Sequence, residues 1–204
     1  MADKPFVIGL TGSIAMGKSQ TAGLFAEEGI PVHDADAVIH QLYGKGGAAV
    51  DKIAAAFPEA VKDGAVDRKI LSGLVATNPD ALKRLEMLVH PLVAASREAF
   101  EAAARARGDD IVLLDIPLLF ETGLEGTLDA VVVASAPGRV QRERALARPG
   151  MSEEKFAALV SRQMPDVEKR ARAHFVVVTD KGVEHARQQV KMILAAIREK
   201  IQKS

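Results

Sequence analysis

Eight consecutive residues, Gly12-Ser13-Ile14-Ala15-Met16-Gly17-Lys18-Ser19, combine the ingredients of an anion cradle. Glycines at both ends let the backbone curl so that its N–H groups turn toward phosphate oxygens, and the N-terminus of a following helix adds favourable partial charge. Lys18 supplies a mobile cation for the outer phosphates. The Ser19 hydroxyl, one residue on, is placed to ligate a magnesium ion held by the same phosphates. The spacing is that of a P-loop, and its surroundings suit one: the apolar run Phe6-Val7-Ile8-Gly9-Leu10 precedes it and a helix-like stretch from Gln20 to Glu28 follows. The chemistry expected is the handling of a nucleoside triphosphate together with Mg2+.

Further groups could complete a reaction. Asp34 and Asp36 stand at the end of a short strand-like run, Ile30-Pro31-Val32-His33. In an open α/β sheet that edge is where ligands bind. The competing role is helix capping for Ala37 to Tyr43, because Asp is favoured there. Ile111-Val112-Leu113-Leu114-Asp115 reads as a buried strand ending in an acid, whose carboxylate could support magnesium beside Ser19. The loop after it, Ile116-Pro117-Leu118-Leu119-Phe120-Glu121, is apolar with one acid, a composition that lines pockets or packs beneath a lid. His90 precedes Pro91, which biases it toward an extended conformation and could aim its ring at a ligand; a structural histidine at a helix break is the equal alternative. Arg144 and Arg148 are one helical turn apart and are expected to share a face.

The elements that would position these groups are legible in outline. Phe6–Leu10, Ile30–His33, Ile111–Asp115, Asp129–Ala134 and Phe175–Val178 read as five strands, the first crossover opened by the P-loop. Apolar strands alternating with helices point to a three-layer α/β P-loop fold, a five-stranded parallel sheet covered on both faces. A helical stretch from Asp67 onward, capped at Asn78-Pro79 and broken at His90-Pro91 before Leu92 to Arg107, is an insertion suited to substrate recognition. Within it Leu82, Leu85, Leu88 and Val89 are expected to form the packed face. Pro137 to Ala147 and Ser152 to Gln163 read as two further helices around a turn at Arg148-Pro149-Gly150. A last amphipathic helix runs from about Val183 to Ile201.

Composition narrows the classes. The 204 residues suit one domain, 48% are apolar and 26% charged, and no apolar run reaches the length of a membrane span. No partner membrane is expected. The start, Met-Ala-Asp-Lys-Pro, carries no signal-like segment, so a cytoplasmic location is expected. Cysteine is absent, which excludes disulfides, thiolate metal sites and a cysteine nucleophile. Net charge is zero, against broad binding to nucleic acid, yet residues 139 to 172 hold nine basic and five acidic side chains. Beside a phosphate loop, that +4 balance suits a small polyanion.

Taken together the residues resemble the dephospho-CoA kinase family over nearly the whole chain. The likeness is carried by Gly9-Leu10-Thr11-Gly12 through Lys18-Ser19, Asp34-Ala35-Asp36 with His40 just after, His90-Pro91, Pro117-Leu118-Leu119-Phe120-Glu121, Arg144 with Arg148, and Gln163. It departs at Ser13, Ala15 and Met16, at Pro149, and at Ala173-His174. The resemblance implies one kinase domain over residues 1–204 with a helical CoA-binding insertion near 60–108 and a lid near 138–165. It implies phosphorylation of the ribose 3′-hydroxyl of dephospho-CoA by direct in-line transfer from ATP. Asp36 would take the acceptor proton, Lys18 would hold the phosphates, and Arg144 would meet the transferring group. Nucleotide binding would fall to Thr11, Gly12, Ser13, Ile14, Ala15, Met16, Gly17, Lys18, Ser19, Gln20 and Arg148. The acceptor would meet Asp36, His40, His90, Pro117, Leu118 and Glu121, and the metal Ser19 and Asp115. A monomer or small homo-oligomer is expected. Two alternatives stand beside this reading: another small-molecule P-loop kinase, acting on a nucleoside or sugar acid, and a nucleotide-switch NTPase.

Overall fold

A computed structural model of the chain describes residues 4–203. Met1 to Asp3, part of the start read above for a signal-like segment, lie outside them. The chain divides into two compact units, one made of residues 1–33 and 104–204 and the other of residues 34–103.

The first unit is built on a five-stranded sheet in the order β2-β5-β1-β6-β7, where β1 is Phe6–Thr11, β2 Val32–Asp34, β5 Ile111–Asp115, β6 Ala130–Ser135 and β7 Phe175–Val178. β1 pairs in parallel with β5 (Gly9 opposite Leu114) and with β6 (Gly9 opposite Val131), and β6 pairs in parallel with β7. Alternation along the strands divides the core. Ile8, Leu10, Val132 and Ala134 face α1 (Lys18–Glu27) and α9 (Val183–Gln202), whose Leu24, Phe25, Val190, Leu194 and Ile197 fill one layer. Val131 and Val133 face the other way, onto Leu119 and Phe120. Both faces are therefore covered, which is why these strands are apolar throughout. Between β6 and β7 come α6 (Gly138–Leu146), α7 (Glu153–Val160, capped by Ser152) and α8 (Asp166–Arg172), the last absent from the sequence reading.

The second unit carries α2 (Ala35–Tyr43), α3 (Val50–Ala56), a short antiparallel hairpin of β3 (Val61–Lys62) and β4 (Ala65–Val66), α4 (Arg68–Ala76) and most of α5 (Pro79–Arg107). Its own core joins Val50, Ile53, Phe57, Ala60, Val66, Leu71 and Val89. The Asn78 side chain caps α5 by accepting from the Ala81 N–H at 3.0 Å.

Two expectations are corrected here. His90-Pro91 does not break the helix: α5 runs on for 29 residues with Pro91 inside it, so His90 is helical rather than extended. Leu85, Leu88, Val89, Leu92 and Val93, on both sides of the proline, pack into one core. That burial outweighs the roughly 3 kcal/mol that an interior proline costs. Leu82, in contrast, lies 42% exposed and outside the packed face. Pro91 is itself exposed, so Pro91→Ala should restore a backbone hydrogen bond without leaving a cavity. We expect the variant to be more stable by about 1–3 kcal/mol; chemical denaturation measures this, and an unchanged or lowered midpoint counts against a proline cost at this position.

Candidate active site

The phosphate loop leaves β1 at Thr11 and enters α1 at Lys18. It passes through two left-handed residues, Gly17 at φ 92° and Ala15 at φ 60°. Glycine adopts this region freely, whereas Ala15 carries about 1–2 kcal/mol of steric cost. Gly12 has a different reason to be glycine: a Cβ there would lie 2.7 Å from the Ala134 carbonyl oxygen of β6. The N–H groups of Ala15, Gly17, Lys18, Ser19 and Gln20 donate to no acceptor among the described residues. Five clustered donors at the start of a helix form a site for an anion. Ser13 and Met16 are buried beneath the loop, the Met16 sulfur accepting from the Ala136 N–H at 3.2 Å.

Lys18 is held in place by an ion pair, its Nζ lying 2.6 Å from Asp115 Oδ1 at the end of β5. Asp115 is 3% exposed, so this partner keeps a mostly enclosed ammonium from standing alone. Ser19, on the first turn of α1, is exposed. Its hydroxyl and the Asp115 carboxylate are hard oxygen donors, the type that magnesium accepts.

Thr179, directly after β7, ties the loop to the segment containing Arg144. Its single hydroxyl proton goes to the Met16 carbonyl at 2.7 Å, while Arg144 donates to the same hydroxyl at 3.0 Å and to the Thr179 carbonyl at 2.7 Å. Arg144 is thereby aimed at the wall of the phosphate loop. Arg148 differs: it lies beyond α6, in a turn where its N–H donates to the Ala145 carbonyl, and it is exposed. The expected shared helical face is therefore corrected, because α6 ends at Leu146, two residues short of Arg148.

Thr11 is fully buried and its hydroxyl donates to the Pro117 carbonyl at 3.1 Å, so its side chain anchors the apolar loop instead of facing a ligand. On that loop Pro117 is half-buried and Leu118 is 43% exposed. Glu121 accepts from the Met164 N–H at 2.8 Å and pairs with Lys169 at 2.8 Å. Lys169 is completely buried, and its ammonium meets Glu121 as an ion pair without an aligned hydrogen bond. Burial alone would raise the Glu121 carboxyl, but the Lys169 ammonium and the Met164 N–H together hold it below its ordinary value.

In the second unit, Asp34 is the N-cap of α2, accepting from the N–H groups of Asp36 at 2.9 Å and Ala37 at 3.0 Å. Capping therefore falls to Asp34, and the exposed Asp36 carboxylate lies in the first turn without that duty. His40 is exposed in the last turn of α2, and His90 is exposed on α5.

Similarity to known proteins decides the family. The family model for dephospho-CoA kinase matches residues 6–185. The chain belongs to that family. A dephospho-CoA kinase from Cereibacter sphaeroides is 57% identical, the match covering 96% of this chain and 98% of the relative. Among solved structures, one from Thermus thermophilus aligns with a TM-score of 0.82 at 38% identity, covering 95% of this chain and 98% of that one. Dephospho-CoA kinase from Campylobacter jejuni shares the fold, with a TM-score of 0.65 at 23% identity over 96% and 98% of the two chains. The family departure at His174 has a local role, since its Nδ1 accepts from the Val131 N–H at 3.1 Å.

Sequence reasoning missed Thr179, Gln141 and Lys169. Thr179 follows the last strand at the ligand edge, a position that could have singled it out; a lysine inside a basic helix carries no sign that it will be buried. The Glu121 clasp yields a pH dependence. A carboxyl held below its unfolded value near 4.5 contributes its full stabilisation above that pH and loses it as pH falls through the lower folded value. Glu121→Gln should therefore lower the melting temperature at pH 7, and the gap from wild type should narrow from about pH 4.5 downward. Thermal unfolding between pH 7 and pH 3 tests this, and a gap independent of pH counts against the charge pair.

Proposed function

We propose that this chain phosphorylates the ribose 3′-hydroxyl of dephospho-CoA with ATP, giving coenzyme A and ADP, by direct in-line transfer between two soluble substrates in the cytoplasm. The observation that carries the proposal is the set of five unused N–H donors in the phosphate loop of a chain belonging to this family. Those donors bind the phosphates of ATP, and Lys18 balances the charge of the outer ones. Phosphoryl transfer needs little covalent help from a protein, so positioning and charge neutralisation account for most of the catalysis.

Arg144 delivers a planar, permanently charged fork to the equatorial oxygens of the transferring group. Its bonds to Thr179 support this, because they keep the guanidinium beside the loop before substrate arrives. Asp36 orients the acceptor hydroxyl and takes its proton as the new P–O bond forms. That role is supported by the division of labour at the start of α2, where Asp34 caps the helix and leaves Asp36 available. His40, on α2, His90, on α5, and Pro117 and Leu118 of the apolar loop belong to the acceptor site. Glu121 serves the acceptor side indirectly by clasping Met164 and Lys169 to the apolar loop. Arg148, exposed on the lid, adds positive charge on the nucleotide side. Magnesium would be held by the Ser19 hydroxyl with Asp115 close to Lys18, and when bound it neutralises phosphate charge.

Replacing Asp36 by Asn separates the proposed base from a purely structural residue of the first turn. Asn keeps the shape and a hydrogen-bond acceptor but loses the charge and basicity, so a purely structural Asp36 would tolerate the change. As a general base its loss should lower turnover by about two to four orders of magnitude, with binding of ATP and dephospho-CoA little altered. Arg144→Ala should cost about three orders of magnitude or more, with poor rescue by lysine. Steady-state turnover with calorimetry for each substrate decides both. A fully active Asp36→Asn enzyme defeats the base assignment, and wild-type turnover that ignores added dephospho-CoA defeats the acceptor.

A further inference from the structure

Two glutamines from opposite ends of residues 138–165 grip one residue of the phosphate loop. Gln163, three positions beyond α7, accepts from the Ile14 N–H through Oε1 at 3.0 Å. Gln141, on α6 and 7% exposed, donates through Nε2 to the Ile14 carbonyl at 3.0 Å. The amides have opposite polarity, one presenting oxygen and the other nitrogen, and a neutral glutamine can supply either. Neither alters the charge of the phosphate site.

The consequence follows from peptide geometry. A trans peptide is planar, with its carbonyl and N–H antiparallel. Drawing the Ile14 carbonyl toward Gln141 therefore points the Ala15 N–H in the opposite direction. That N–H is one of the five loop donors without an acceptor, and Ala15 is the non-glycine residue held at φ 60°. Left to itself, an alanine disfavours this conformation. Gln141 also precedes Arg144 by three residues on α6, so one helical face holds both the loop and the arginine.

We propose that Gln141 and Gln163 are positioning residues for phosphoryl transfer. They fix Ile14 so that the strained Ala15 presents its N–H to the triphosphate, and they couple both stems of the lid to the phosphate loop. Neither touches a reacting atom. The inference rests on the kinase reading above, but it concerns nucleotide binding and can be tested without the acceptor.

The test is calorimetric affinity for MgATP, with steady-state turnover beside it, for Gln141→Leu, Gln163→Leu, the double variant and Gln141→Leu combined with Ala15→Gly. Each single change should weaken MgATP binding about ten-fold, with KM for dephospho-CoA within about two-fold of wild type. The double variant should lose at most about three-fold more than the worse single, since both contacts act on one residue. Glycine adopts positive φ without steric cost, so Ala15→Gly should recover about three-fold or more of the affinity lost at Gln141. General loosening of the lid would not be rescued in this way. Should Gln141→Leu melt early, Gln141→Asn, too short to reach Ile14 but still polar, takes its place. Wild-type affinity in both single variants, losses that multiply in the double, or no recovery with Ala15→Gly overturns the proposal. A wild-type protein that binds MgATP but does not use dephospho-CoA defeats the acceptor assignment alone and leaves the glutamine result decisive; one that binds no MgATP defeats both.

Discussion

A phosphate site made of backbone must leave its donors unused by the protein and still hold them in a fixed arrangement. Burying or pairing the N–H groups of Ala15, Gly17, Lys18, Ser19 and Gln20 would stabilise the loop and abolish the site. The surrounding structure instead holds the loop by everything except those donors. Thr179 takes the Met16 carbonyl, Gln141 the Ile14 carbonyl, Gln163 the Ile14 N–H, and Asp115 the Lys18 side chain. The strain at Ala15 is tolerable because its neighbours are fixed on both sides.

These supports converge because the strands are parallel. β1, β5, β6 and β7 run in one direction, so their carboxyl ends reach the same edge, and each contributes there: β1 the phosphate loop, β5 Asp115, β6 the Ser135 carbonyl, and β7 the threonine that follows it. The Thr179 N–H donates to Ser135 at 2.9 Å, extending the β6–β7 ladder by one step and aligning the threonine with the loop. An antiparallel arrangement would send alternate strand ends to the far edge. The topology is thus a condition of the chemistry as well as a way of packing apolar strands.

The basic segment between β6 and β7 shows how a formal charge count can mislead. Much of its charge is spent within the protein: Arg142 pairs with Glu153, Lys169 with Glu121, Arg172 with Glu125, and Arg144 is anchored on Thr179. Arg172 also lies over the Phe120 ring, 4.9 Å from its centroid. The segment is fastened to the apolar loop by several of the residues that seemed free to meet a polyanion.

The phosphate loop, the five strands and the final helix are legible in the amino-acid order alone, because each rests on local pattern: spacing of glycines with Lys18-Ser19, apolar runs of strand length, and a repeat of 3.6 residues through Val190, Ile193, Leu194 and Ile197. Local pattern also exposed the ambiguity between Asp34 and Asp36 without resolving it, since capping depends on where α2 begins. Tertiary structure decided what depends on distant partners. Packing across Pro91 kept α5 whole against the local signal, and burial gave Lys169 a partner 48 residues earlier in the chain. Gln141 and Gln163 meet Ile14 across separations of 127 and 149 residues. No propensity or spacing encodes such a meeting, because a glutamine on a helix looks the same in sequence whether its amide faces water or the backbone of another element.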